Sequence, residues 1–204
     1  MTKTKLFFDL DGTLIDSTKR LYLLFQYLIP ESYLSYEDYW KLKREMQTHS
    51  SILENRFSYL DEKIRAFEEN WMTSIEKENW LKHDEPFPGV QQYLQSLSTN
   101  HTLYLITARQ STSAVVKQID SFGWHSLFKE ILVTNQTEEK SDIILSVTSP
   151  SSIDWIVGDT GKDIEAGKKL GMKTAAVLSG FRNRSVLEKY NPDIIRNIVT
   201  DIFF

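Results

Sequence analysis

The chain has 204 residues, 41% of them hydrophobic and 25% charged, with a formal net charge of −4. That length buries one good core, or one core with a modest second unit, and the balance is that of a soluble globular protein rather than a disordered or fibrous chain. Mild acidity argues against nucleic acid as a partner, and the absence of cysteine excludes disulfides, thiolate metal sites and cysteine nucleophiles.

The opening "MTKTKLFFDL" carries too short an apolar run for a signal peptide, and acid follows at once. No stretch approaches the roughly 18 apolar residues of a membrane helix. A cytoplasmic protein is expected, and the sequons at Asn100, Asn135 and Asn183 are taken as chance matches. Residues 5–9 read as a short buried strand, a continuous apolar run closed by Asp-Gly turn chemistry. That run ends in two acids one residue apart, Asp9 and Asp11. Burying like charges side by side is unfavourable unless a cation or a proton compensates them, so the pair marks a site. The pair also begins like a calcium loop, but position twelve is Arg20 and glycine falls at position four, so that reading fails.

Residues 16–85 hold a single proline and no glycine. "LYLLFQYLI", "YEDYWKLKREM" and "DEKIRAFEENWMTSIEKENWL" each repeat apolar residues at spacings of three and four, which predicts amphipathic helices. "DEPFPGV" (84–90) then punctuates the chain as a linker. Beyond it, apolar runs at 102–107, 130–134, 154–159 and 173–178 predict strands, separated by helical stretches at 89–98, 109–121, 138–147 and 160–170. Strands without in/out alternation, spaced by helices, indicate a parallel sheet covered on both faces. The expected architecture is a doubly wound α/β core of residues 1–15 and 86–204, with residues 16–85 inserted as an α-helical block.

Ligands of such sheets gather outside the carboxyl ends of the strands. The polar residues there are Asp9 and Asp11, Thr107, Asp159 and Asp163, with Lys140 opening the helix after the third strand. Four carboxylates together call for a hard divalent cation, and oxygen ligands with an open position suit Mg²⁺. The hydroxyl and the lysine would complete a phosphate cradle.

The set "DLDGT" (9–13), "LITAR" (105–109), Lys140 and "VGDTGKDIEAGK" (157–168) resembles the four motifs of the haloacid dehalogenase superfamily. The position of the helical insert and "PFPGV" after it resemble the phosphoglycolate-phosphatase-like branch, in which a helical cap follows the first motif. The resemblance implies a Mg²⁺-dependent phosphatase acting on a small phosphorylated metabolite. Asp9 would be the nucleophile that forms an aspartyl-phosphate, and Asp11 the acid and base. Mg²⁺ would be held by Asp9, Asp159, the Asp11 carbonyl and Asp163. Gly12, Thr13, Ala108 and Arg109 would contact phosphate or substrate, while Thr107 and Lys140 complete the catalytic set. Ala108 stands where that branch often has asparagine, and Lys140 lacks the proline that often follows it there.

Taken singly, these residues have plainer readings: Thr107 as a helix cap, Lys140 as a charge on a solvated face, "GDTGKD" as helix-capping acids. Arg20, Lys41, Lys43 and Arg44 could reach an anionic substrate, but charged runs on helices are usually solvated faces. His49, His83, His101 and His125 have no metal-ligand spacing and are expected on the surface or in linkers. A phosphomutase of the same fold is disfavoured by Lys19 and Arg20, which stand where its sugar mutases usually have histidine. A phosphonate hydrolase would need a Schiff-base lysine, for which only Lys41 and Lys43 offer themselves. A phospho-receiver or metabolite-binding module is the non-enzyme alternative, but receivers are shorter and lack such an insert. The expected state is monomer or homodimer, and phosphoglycolate, nucleotides, sugar phosphates and pyrophosphate stay open as substrates.

Overall fold

The structure is a computed structural model describing residues 3–204. Six parallel strands form one sheet: β1 (Lys5–Phe8), β4 (Thr102–Thr107), β5 (Phe128–Val133), β6 (Trp155–Gly158), β7 (Lys173–Val177) and β8 (Ile194–Arg196). Their order is β5-β4-β1-β6-β7-β8, with β1 and β6 as central neighbours. The chain leaves β1 toward β4 on one side and leaves β6 toward β7 on the other. The carboxyl ends of β1 and β6 therefore flank the crevice where winding reverses, the usual ligand position in open α/β sheets.

Both faces of β1 are buried, which explains its unbroken apolar run. Leu6 and Phe8 pack with Val90 and Leu94 of α6 (Val90–Asn100) and with Val115 and Ile119 of α7 (Thr112–Ser121). Phe7 points the other way, stacking on Tyr104 at 4.6 Å and joining Ile143 and Ile144 of α8 (Lys140–Val147) and Ala166 of α9 (Gly161–Lys169). Each such side chain contributes about 1.5–3 kcal/mol by leaving water. The predicted strands and helices of the core are all present, within two or three residues of their expected ends. Helix α7 starts at Thr112 rather than at 109 because the Ser111 hydroxyl accepts the Ala114 amide and sets the cap there. The edge strand β8 and the short α10 (Arg184–Leu187) were not expected.

Between β1 and α6 lie α1 (Thr18–Leu28), α2 (Tyr36–Arg44), α3 (His49–Phe57), α4 (Asp61–Ser74) and α5 (Glu78–Leu81). Ser35 and Thr48 cap α2 and α3 through their hydroxyls. These helices bury a separate aromatic-rich cluster that includes Leu24, Phe25, Tyr39, Trp40, Ile52 and Phe67. The block joins the sheet through two short strands paired antiparallel, β2 (Ile15–Asp16) and β3 (Glu85–Pro86). Among the described residues no helix is long and apolar enough to cross a membrane.

His49 departs from the expected surface position. Its ring lies 4.2 Å from that of Trp71 between centroids, packs on Phe25 and Phe67, and hydrogen-bonds the Tyr39 hydroxyl at 2.9 Å. The helical spacing that buries Ile52 and Leu53 carries the imidazole in beside them, half-buried. Burial, helped by the charge of Lys43, depresses the His49 pKa well below 6.5. Above that value both folded and unfolded chains carry neutral imidazole and stability is undiminished. As pH falls below it, only the unfolded chain takes up the proton, so stability should drop by up to about 1.4 kcal/mol per pH unit. Asp9 and Asp159, whose raised pKa values act in the opposite sense over this range, are common to both proteins, so the difference in urea-denaturation stability between wild type and His49→Gln should follow that slope from pH 7 to pH 5. An unchanged slope in the variant would contradict a neutral buried imidazole.

Candidate active site

The carboxyl ends of β1 and β6 bring Asp9, Asp159 and Asp163 together, with one carboxylate oxygen of each within 4.8 Å of the others. Asp9 follows β1 directly, Asp159 follows β6, and Asp163 sits in the first turn of α9. Asp163 forms a capping box with Thr160, whose amide and hydroxyl both donate to Oδ2. Its other oxygen, Oδ1, accepts from the Lys140 ammonium at 2.5 Å, and the same ammonium donates to Asp9 Oδ1 at 2.5 Å. Lys140 opens α8 and is buried, so its one charge is shared by two acids. Against the downward push of burial, Asp163 and Asp9 hold its ammonium above the ordinary lysine range.

One cation does not balance three buried acids. Burial raises the Asp9 carboxyl to about 7, with Asp163 and Asp11 adding to the rise and Lys140 opposing it. Burial, then Asp9 and Asp163, push Asp159 well above the usual carboxylate range. Asp159 Oδ2 accepts from the Phe181 amide at 2.6 Å, while its buried Oδ1 has no partner. An orphaned carboxyl oxygen beside two further carboxyl groups is a donor set that fits a hard divalent cation of the Mg²⁺ kind. The backbone presses close on the other oxygen of the same side chain: a Cβ on Gly180 would lie 2.0 Å from Asp159 Oδ2, and one on Gly12 2.6 Å. Gly12 also has φ of +80°, which glycine adopts without strain.

A cavity of about 260 Å³ opens over this cluster, lined in part by Asp9, Asp11, Thr107, Ala108, Arg109 and Lys140. Thr107 ends β4 with its side chain buried toward the cavity. Gly12 and Thr13 take supporting places in the turn. The Gly12 amide donates to the Ile15 carbonyl at 2.8 Å, and the Thr13 hydroxyl lies 3.5 Å from Asp9 Oδ2.

Asp11 has surroundings of another kind. Arg109 grips it with two bonds, Nε to Oδ2 and Nη2 to Oδ1, both at 2.7 Å, and Arg20 Nη2 donates to Oδ1 at 2.6 Å. Burial pushes this carboxyl up, but Arg109 and Arg20 outweigh it and hold Asp11 well below the usual range. The same guanidiniums meet Asp84, Arg20 through Nε at 2.8 Å and Arg109 through Nη2 at 3.0 Å, while Gln118 donates to it as well. Arg20 is only 2% exposed, which corrects the expectation of a solvated face. Arg109 lines the cavity while its guanidinium is held by Asp11, Asp84 and Gln118. Asp84 and Gln118 were missed as site residues; the available signal was an acid opening the linker and an arginine two residues into α1. Glu76 was missed too, although its carboxylate accepts the amides of Gln110 at 2.6 Å and Ser111 at 2.9 Å and lines the cavity.

Residues 6–177 match the family model described as haloacid dehalogenase-like hydrolase. A pyrophosphatase PpaX from Halalkalibacterium halodurans is 26% identical over 208 residues, covering 96% of this chain and 93% of its own. A phosphoglycolate phosphatase from Aquifex aeolicus is 28% identical, covering 85% of this chain and 84% of its own. A haloacid dehalogenase-like hydrolase from Streptococcus pneumoniae superposes with a TM-score of 0.78 at 26% identity, covering 98% of this chain and 96% of its own. The chain belongs to the haloacid dehalogenase-like hydrolase family, as an enzyme of its phosphatase class.

Proposed function

We propose that the protein is a Mg²⁺-dependent phosphatase that hydrolyses a small phosphorylated metabolite through an aspartyl-phosphate on Asp9. The observation that carries this reading is the gathering of Asp9, Asp159 and Asp163 within 4.8 Å, two of them bonded to Lys140. Asp9 attacks phosphorus as the ester P–O bond breaks, and Asp11 gives a proton to the leaving oxygen. Asp11 then takes a proton from water, whose oxygen attacks phosphorus and releases Asp9 with inorganic phosphate. Thr107 donates a hydrogen bond to a phosphoryl oxygen, the backbone of Ala108 lies beside it, and Lys140 offsets charge on the nucleophile. The carboxylates of Asp9, Asp159 and Asp163, with the Asp11 carbonyl, would hold Mg²⁺. When bound, the ion supplies positive charge against the acids and the phosphoryl group.

In the arrangement described, Asp11 is an ion gripped by two guanidiniums, which suits its role as base. Its role as acid requires that Arg20 or Arg109 let go. Arg20 rides on α1, so displacement of the helical block, acting as a cap of residues 16–85 over the core of 1–15 and 86–204, loosens the grip. Pyrophosphate and phosphoglycolate, after which the two relatives are named, are both small phosphorylated molecules, which supports this substrate class. The same reading places the enzyme in the cytoplasm, as a monomer or homodimer.

Phosphate release from a generic aryl phosphate tests the proposal. Turnover should appear with Mg²⁺, fall to background under excess chelator and return on adding Mg²⁺. Equal rates with and without chelator would overturn the metal requirement.

A further inference from the structure

Lys43 and Arg182 are two cations outside the catalytic cluster that share a cavity without sharing a carboxylate. Lys43 lies in the last turn of α2 and Arg182 in the loop after β7; both line a cavity of about 540 Å³ where the helical block meets the sheet. Burial and the neighbouring Arg182 lower the Lys43 ammonium to about 8, and no acid is among the groups acting on it. Arg182 Nη1 donates only to carbonyl oxygens, those of Lys43 at 2.8 Å and Phe181 at 3.0 Å. The acid on the cavity wall, Glu68, accepts from the Ser50 hydroxyl at 2.6 Å. Two like charges held together and partly desolvated are unfavourable until an anion joins them.

The position of this cavity says what the anion belongs to. Along α4 and just beyond it, Trp71 and Met72 line the outer cavity, while Ile75 and Glu76 line the one over Asp9. In the β7 loop, Phe181 lines the inner cavity and Arg182 the outer. The two spaces therefore abut, with Phe181 between them, stacked on Trp40 at 5.4 Å and fixed by its amide to Asp159. Because Phe181 stands between the two spaces, an anion in the outer one belongs to a group set apart from the phosphoryl group over Asp9.

We propose that Lys43 and Arg182 form a second anion subsite, and that the substrate is an organic phosphate carrying another phosphate or carboxylate several atoms from the ester. The link to turnover rests on the phosphatase reading above; the subsite itself does not. An anion there would also bridge the helical block and the β7 loop, drawing them together over the ester.

The experiment compares kcat/KM, with Mg²⁺, for fructose 1,6-bisphosphate, fructose 6-phosphate, 3-phosphoglycerate, pyrophosphate and an aryl phosphate. It also measures calorimetric binding of the bisphosphate to Asp9→Asn protein. Wild type should prefer the bisphosphate or the phosphocarboxylate over the monophosphate and pyrophosphate at least tenfold. Lys43→Gln and Arg182→Gln should each cut that ratio at least tenfold, mainly through KM, with Lys43→Arg restoring most of it. Melting curves identify any variant that fails to fold, and Lys43→Arg against Lys43→Gln then decides. A ratio unchanged in the variants, or no preference in wild type, overturns the subsite while aryl-phosphate turnover upholds the phosphatase. With no turnover of any ester, the phosphatase reading fails, and the binding arm still decides: weakening at least tenfold in Lys43→Gln supports the subsite, and equal binding overturns it.

Discussion

Asp9→Asn is expected to lower phosphate release by roughly three orders of magnitude or more, about 4 kcal/mol in the barrier. The amide matches the carboxylate in size, so it removes the attacking oxygen's charge without opening a cavity. The fold should tolerate the change well. Asp9 lies with Asp159 and Asp163, and burial already lifts its pKa to about 7, so a neutral side chain relieves repulsion. Lys140 keeps its bond to Asp163. Activity and stability should therefore part company: a phosphate assay falls to background while the melting temperature holds or rises. A variant keeping more than about a tenth of wild-type turnover would remove Asp9 from the nucleophile's role.

Asp84→Ala carries the largest expected cost in stability. Asp84 is buried between Arg20 and Arg109, themselves 2% and 4% exposed. Without it, two buried guanidiniums share Asp11 alone, and Arg20 Nε loses its acceptor. Removing one partner from a buried charged network typically costs about 3–5 kcal/mol, because the remaining charges stay desolvated. Urea denaturation should show that loss at an unchanged slope. Adding Arg20→Met to Asp84→Leu should recover a good part of it, since apolar side chains of similar volume remove both charges together. A loss below about 1 kcal/mol for Asp84→Ala would mean that the network contributes little.

The parts of the site that were legible in the sequence lie where chemistry and backbone coincide. Asp9 and Asp11 end an apolar run, Asp159 and Asp163 bracket a strand-to-helix turn, and Thr107 closes a strand, so local pattern alone puts them on one edge. Lys140 was legible only through its place at the start of the helix after the third strand, because one lysine in "TEEKSD" has no local mark. Arg20 and Asp84 were illegible for a physical reason: they meet across 64 positions of chain, and an arginine in a helix's first turn looks solvated until its partner is known. His49 misled in the same way, since its neighbours' periodicity decides its burial. Strands β2, β3 and β8 span two or three residues each, too few for periodicity to register.

The pairing of β2 with β3 carries a consequence for how this architecture could be remodelled. Antiparallel partners in a ladder lie about 5 Å apart, so the polypeptide departs at Asp16 and returns at Glu85 almost to the same point. Seen from the sheet, the whole helical excursion occupies the footprint of a single tight hairpin. Such a socket accepts inserts of different size at little entropic cost, because closure grows only slowly with length. The Arg20–Asp84 contact just inside its rim then sets the boundary condition: any replacement cassette must bring its own arginine and acid to meet Asp11 and Arg109.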